Sequence, residues 1–205
     1  MTQTNTPQWA KTGLLKGRSV SLEPLAIDHV AGLQEATRDG ELWQLWFASV
    51  PTPETTQHYV EQALSLREQG KAMPFVVRDA EGIVVGSTRY GNIDADNKRL
   101  EIGWTWYAQR AQRTALNTEA KLLLLSNAFE NLGAIAVEFR TNWFNHRSRT
   151  AIARLGAKQD GVLRNHMLMP DGTRRDTVVF SILDTEWPAV KKNLQHQLQR
   201  YKAEP

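Results

Sequence analysis

Short runs in which apolar and polar residues alternate punctuate this chain, and segments with helical spacing separate them. Val20-Ser21-Leu22-Glu23 alternates ahead of Pro24 and predicts a first strand. Asp28 stands where a helix N-cap belongs, and Val30, Leu33 and Gln34 mark the inner side of a helix over about 28–38. Leu42, Trp43, Leu45, Trp46 and Phe47 form a dense apolar patch before Pro51 and Pro53. It suits core packing, an apolar side chain of a ligand, or a dimer contact. A second helix is expected over about 53–69, capped by Thr52 and ended by Gly70. Residues 74–78 and 83–90 read as a hairpin around Asp79-Ala80-Glu81-Gly82, and Asp94-Ala95-Asp96-Asn97 turns the chain into a third strand, 99–107.

The second half changes rhythm. A loop, 112–117, leads to a helix over 118–132, then to a strand over 136–140. Asn145 is placed to cap a helix that runs through Leu155 and stops at Gly156. Strands over 162–166 and 177–183 are joined by Pro170-Asp171-Gly172, and Thr185 is placed to cap a last helix through about Tyr201. The predicted order is βααβββ, then αβαββ, then α. It makes an α+β molecule, a mixed, mostly antiparallel seven-stranded sheet in an αβα sandwich, with helices on both faces.

The 205 residues suit one domain with additions. With no Cys, disulfides, zinc thiolate sites and a Cys nucleophile are excluded. Met1 to Ala10 is polar, and no run approaches the ~18 apolar residues of a membrane span. A cytoplasmic protein with no membrane contact is the expectation. A formal charge of +3 is too balanced for a nucleic-acid surface. The local basic cluster, Arg140, His146, Arg147, Arg149 and Arg154, fits phosphate equally well. There is no G-x-S-x-G elbow and no H-E-x-x-H helix, and Asp94, Asp96 and Asn97 lack the Gly and terminal Glu of a calcium loop. No metal is expected.

The chemistry concentrates between Arg99 and Asn145. A loop that delivers backbone N–H groups to a helix N-terminus makes an anion site, because first-turn donors have no intrahelical partner. That layout suggests a phosphorylated ligand.

Several motifs here share an order and spacing: Glu101-Ile102-Gly103-Trp104, Thr118-Glu119-Ala120, Asn145-x-x-Ser148 with Leu155-Gly156, and Gly161-Val162-Leu163-Arg164 with Pro170-Asp171-Gly172 and Asp176. Together they resemble the GNAT-fold N-acyltransferases, in the branch of the RimJ and RimL ribosomal-protein acetyltransferases, over about residues 15–183. The resemblance implies a tail at 1–12, an acyltransferase domain at 13–184, and a C-terminal helix and tail at 185–205. It implies acetyl-CoA as co-substrate and a primary amine as acceptor, either a protein N-terminus or a small molecule. A non-catalytic acyl-CoA-binding protein of the same fold is the alternative.

The family loop Q/R-x-x-G-x-G/A holds the CoA pyrophosphate, so Gln112, Arg113, Thr114, Ala115, Leu116 and Asn117 become candidates. Ala115 stands where Gly is usual and Asn117 where Gly or Ala is usual, and a side chain in place of Gly restricts positive φ and close backbone approach. Asn117 can instead cap the helix. The strand with Trp104, Thr105 and Trp106 matches the one that splays from its neighbour to pair with pantetheine. Alternation puts Trp104 and Trp106 on one face with Ile102. Asn145 matches the Asn that bonds the CoA arm, Ser148 points the same way, and Arg147 and Arg149 are candidates for phosphate. Glu101 is the candidate base, facing opposite to Ile102 unless a bulge intervenes. The Tyr that many relatives use as acid is replaced by Ile152, which leaves Ser148 or water, with His146 and His166 as further proton carriers. The last helix, with Trp187, Val190, Leu194 and Leu198, covers the core or makes a homodimer contact.

Overall fold

In the computed structural model, which describes Trp9 and residues 11–203, the predicted elements assemble into one mixed sheet. Its strands are β1 (Leu15–Lys16), β2 (Val20–Pro24), β3 (Met73–Asp79), β4 (Val84–Asp94), β5 (Arg99–Tyr107), β6 (Ala136–Asn142), β7 (Lys158–Leu168) and β8 (Arg174–Leu183). They lie in the order β1-β2-β3-β4-β5-β6-β8-β7. β5 and β6 run parallel, and every other neighbouring pair is antiparallel. The sheet therefore has eight strands, not the seven expected. The extra strand, β1, spans only two residues, too few to show alternation. A side chain far away in sequence fixes its turn: Glu119 accepts bonds from the backbone N–H of Arg18, at 2.9 Å, and of Ser19.

The helices are α1 (Val30–Arg38), α2 (Thr56–Glu68), α3 (Ala115–Ser126), α4 (His146–Leu155) and α5 (Trp187–Ala203). Asp28 does not cap α1, because it sits inside a 3₁₀ turn, Ile27–His29, that leads into the helix. α2 starts three residues later than the Pro53 expected, because Thr52 and Thr55 bond to each other across a turn. α5 starts at Trp187, past the Thr185 expected to cap it. α3 ends in a π turn, Asn127–Asn131, that carries the chain on towards β6.

Two cores lie on the two faces. On one, Val20, Leu22, Phe75, Tyr90, Leu100 and Ile102 pack with Leu116, Ala120 and Leu124 of α3, Ile152 and Leu155 of α4 and Leu194 of α5. On the other, Val76, Val84 and Trp106 pack with Leu33 of α1 and Val60 of α2. The patch at 42–47 belongs to neither: Trp46 is 55% exposed and packs on Phe47 and Phe144. Among the described residues no helix is long and apolar enough to cross a membrane.

Two irregularities position the site. β5 pairs with β6 only at Arg99↔Ala136, Leu100↔Val137 and Glu101↔Glu138, while β6 stays paired with β8 as far as Asn142. Beyond Glu101 the two parallel strands part, and the β6-facing edge of β5 stands open. Within that open half the register against β4 slips, from Ser87↔Trp106 to Arg89↔Gly103. Two residues of β5 there, Trp104 and Thr105, face one of β4, Thr88, which is a bulge, and its left-handed residue is Trp104, with φ of 50°.

Candidate functional site

The bulge overturns one expectation directly. An extra residue reverses the alternation downstream of it. Ile102 lies in the core under α3, whereas Trp106 lies in the core under α1 and α2. Trp104 joins neither and is 37% exposed. Its indole lies on Gly91, where a Cβ would come within 2.3 Å of Cζ3, so β4 provides a seat that only glycine leaves free.

Glu101 points away from α3, opposite to Ile102, as alternation predicts. Its side chain is buried at 5% exposure, accepts a 2.7 Å bond from Asn92 Nδ2, and has Arg140 Nε at 3.6 Å. Burial pushes its pKa up, while Arg140 and the Asn92 bond pull it back. The carboxylate leans along the strand over Gly103, whose missing Cβ would meet Oε1 at 2.7 Å. Beside it, Glu138 takes Arg140 NH2 at 2.9 Å and Arg99 NH2 at 2.5 Å. Arg99, Glu101, Glu138 and Arg140 line a cavity of about 140 Å³ with Asn92, Asp94 and Leu100. A buried carboxylate with an elevated pKa and a partly solvated rim has the properties of a general base.

Thr105, on the opposite face, meets a residue that the sequence reading passed over. Lys121 of α3 is 6% exposed and donates to Thr105 Oγ1 at 2.8 Å, and Thr105 Oγ1 lies 2.7 Å from Thr88 Oγ1. With no carboxylate beside it among the described residues, burial pushes the amine down to about 7. Its i+3 and i+4 neighbours, Leu124 and Leu125, are fully buried, and that spacing is the signal that identifies the position as internal.

The loop before α3 differs in detail from expectation. Asn117 does not cap the helix: α3 begins at Ala115, and Thr114 is the cap, its Oγ1 accepting from Leu116 N at 3.2 Å. Ala115, Leu116 and Asn117 are thus ordinary first-turn residues, and the left-handed residue is Arg113, with φ of 61°. The helix can start without glycine because the positive φ falls before it. Thr118 Oγ1 is buried in that first turn without a partner among the described residues.

Gln112 ties this loop to α4. Its Nε2 donates to Tyr107 O at 2.8 Å, and its Oε1 accepts from Arg147 NH2 at 2.5 Å. Asn145 caps α4, its Oδ1 accepting from Ser148 N at 3.0 Å, and its amide Nδ2 makes no bond among the described residues. Arg149 instead packs on Trp143, 4.3 Å from the ring. His146 is exposed, and His166 bonds Thr177 Oγ1 at 3.0 Å on β8. Ile152 is core.

Thus Gln112 links the end of β5 and the head of α3 to Arg147 in the first turn of the Asn145-capped α4, and Glu101 lies on the other face of the sheet. The five buried side-chain N or O atoms without a partner among the described residues belong to Arg89, Trp106, Tyr107, Thr118 and Asn142. All five residues lie on β5, on its neighbours β4 and β6, or at the head of α3. Each such atom costs about 1–3 kcal/mol when left unsatisfied, so the fold carries its polar cost around β5. No group of three or more His, Cys, Asp or Glu suited to a metal occurs among the described residues.

Known proteins resemble the chain in sequence and in fold. The family model described as an acetyltransferase (GNAT) domain matches residues 19–158. A Bacillus subtilis (strain 168) protein named "Putative ribosomal N-acetyltransferase YdaF" is 30% identical over 111 residues, 54% of this chain and 60% of that protein's length, so the match spans less than two thirds of that relative. The crystal structure of a GCN5-related N-acetyltransferase from Brucella melitensis superposes with a TM-score of 0.80 at 31% identity, covering 90% of this chain and 85% of that one.

Proposed function

The chain belongs to the GNAT acetyltransferase domain family, and from that premise we propose that it transfers the acetyl group of acetyl-CoA to a primary amine by direct attack in a ternary complex. One observation carries the reading: β5 leaves β6 after Glu101 and holds its edge open beside the capped N-termini of α3 and α4. An open strand edge accepts an extended, amide-bearing ligand as it would a peptide, which suits the pantetheine arm. The free first-turn donors of α3, with Arg113, suit the pyrophosphate. Asn145, with its free amide, and Arg147 close the far side, and Ser148 stands one turn along from Asn145.

The acceptor enters from the face on which Glu101 lies. Glu101, as carboxylate, takes a proton from the ammonium directly or through a water, and the neutral amine attacks the thioester carbonyl. The C–N bond forms and the C–S bond breaks, and the proton that the attacking nitrogen then sheds passes to the CoA thiolate through Ser148 or water. Backbone N–H groups near Trp104 to Trp106 stabilise the thioester oxygen as it gains charge. The relative named as a ribosomal N-acetyltransferase favours a protein amine as acceptor, such as an N-terminus; a small-molecule amine fits the same chemistry.

Thiol release from acetyl-CoA with a panel of amines tests this, repeated on Glu101→Gln. Loss of a general base lowers kcat/KM by about 10²–10⁴-fold, with CoA affinity changed little. Unchanged turnover in the variant removes Glu101 as the base, and CoA binding with no amine turned over makes the protein a passive acyl-CoA binder.

A further inference from the structure

Arg89 is an isolated buried cation beside the proposed base. It sits on β4 and is 3% exposed. Its guanidinium carbon lies 4.9 Å from the ring of Tyr59, on α2, and 5.1 Å from that of Trp104. Among the described residues no carboxylate pairs with it, and its Nε makes no hydrogen bond. Both rings are held in place. Tyr59 OH bonds Ser87 Oγ at 3.3 Å, and Trp104 rests on Gly91.

A buried charge with no counter-ion is costly, and stacking on aromatic rings offsets only part of that cost. The two ring contacts use none of the in-plane N–H groups, which make no side-chain hydrogen bond among the described residues and so remain available as the fork that grips a carboxylate in two bonds. The position is also informative. Arg89 pairs with Gly103 across the strands, and Gly91 pairs with Glu101, so Arg89 and Glu101 are diagonal neighbours on one face. Such neighbours stand roughly 7–8 Å apart at the backbone. The Glu101 carboxylate leans over Gly103, towards Arg89, yet the two form no ion pair.

We infer that Arg89, flanked by Tyr59 and Trp104, is the binding site for a carboxylate of the acceptor, and that the acceptor carries this carboxylate a few bonds from the amine that Glu101 serves. The inference rests on the acyl-transfer reading above. It selects amino acids and acidic N-termini over polyamines and other polycationic amines, which a buried cation repels. The carboxylate has two possible sources, the α-carboxylate of a free amino acid or an acidic side chain next to a peptide's N-terminal amine.

The test uses two matched pairs of acceptors in the thiol-release assay: phenylalanine against phenylalaninamide, and Asp-Ala-amide against Asn-Ala-amide. One acid is expected to have a KM at least tenfold below its neutral partner, and which pair shows the gap identifies the source. In Arg89→Gln the acid's KM should rise about 10- to 100-fold, the loss of a hydrogen-bonded charge, and bring the ratio near one. Arg89→Lys, which keeps the charge and loses the planar fork, should retain part of the preference. Equal KM values within both pairs in the unmodified protein, or a preference that survives Arg89→Gln, overturn the inference. Calorimetry separates this from failure of the acyl-transfer reading. With CoA present, N-acetylphenylalanine and N-acetyl-Asp-Ala-amide are each titrated against the neutral counterpart. Preference for one of the acids, lost in Arg89→Gln, supports the clamp even if no amine is turned over. Equal binding of acid and amide in both pairs rejects it.

Discussion

At the scale of single residues, the site is organised by what surrounds Glu101. Gly103 is needed for space. An added Cβ would collide with Glu101 Oε1 at 2.7 Å, and the colliding atom is the end of a flexible side chain, which can swing aside. Gly103→Ala should therefore lower kcat at least tenfold by displacing the proposed base, while costing less than about 1 kcal/mol of stability. Denaturant unfolding read alongside thiol release checks that separation. Arg140 acts through charge. It draws the burial-raised pKa of Glu101 downward from 3.6 Å. Arg140→Gln removes that pull, so the folded-state pKa rises further. Because the base works only when ionised, the acidic limb of the kcat/KM profile should move to higher pH. A limb that stays in place means that Glu101 is not the group being titrated. Glu101 and Gly103 were legible in the sequence as neighbours in a motif. Arg89 was not, because nothing in a strand sequence distinguishes an arginine paired with a carboxylate from one held between two rings.

At the scale of elements, what the sequence could and could not reveal has a physical basis. β5 was legible to the residue, 99–107, because alternation and aromatic content mark a strand whatever its partners. Its bulge was not, because a bulge is a relation between two strands and leaves no trace in the period of one. That is why Trp104 and Trp106 were expected to share a face with Ile102. The Asn145 cap and the Gly156 stop were legible because both are local: Asn145 Oδ1 bonds Ser148 N at 3.0 Å, and Gly156 takes φ of 105°. The α3 start was misplaced because two potential caps, Thr114 and Asn117, lie three residues apart and the backbone settled on the first. A cap that also binds the cofactor has a double signature on mutation. Asn145→Ala should cost about 1 kcal/mol of stability, and it should raise the KM for acetyl-CoA beyond what the stability loss explains. Asn145→Ser, which caps comparably and has no amide to offer, should recover the stability and not the KM. Recovery of both assigns Asn145 to capping alone.

At the scale of the whole molecule, the proposed cofactor site lies where the sheet itself is weakened. The sheet gives up pairing between β5 and β6 beyond Glu101, and Lys121 sits under that opening, joining α3 to Thr105 on β5. Its amine is pushed from 10.5 down to about 7 by burial. The consequence for stability has a definite sign. Below about pH 7 the folded chain must hold a buried ammonium, and the penalty is complete. Between pH 7 and the ordinary lysine value only the unfolded chain keeps the proton, so the penalty shrinks as pH rises. Lys121→Met removes the charge and keeps most of the volume. The variant should be more stable than the parent at pH 6–7, by about 1–4 kcal/mol, and the difference should diminish as the pH is raised towards 10. Denaturant unfolding of both proteins across that range measures it. A difference that does not vary with pH would mean that Lys121 keeps its proton in the fold, and that a counter-charge reaches it through that opening. The diminishing difference instead establishes a neutral amine beneath β5, maintained at a cost in stability that a purely structural position would not require.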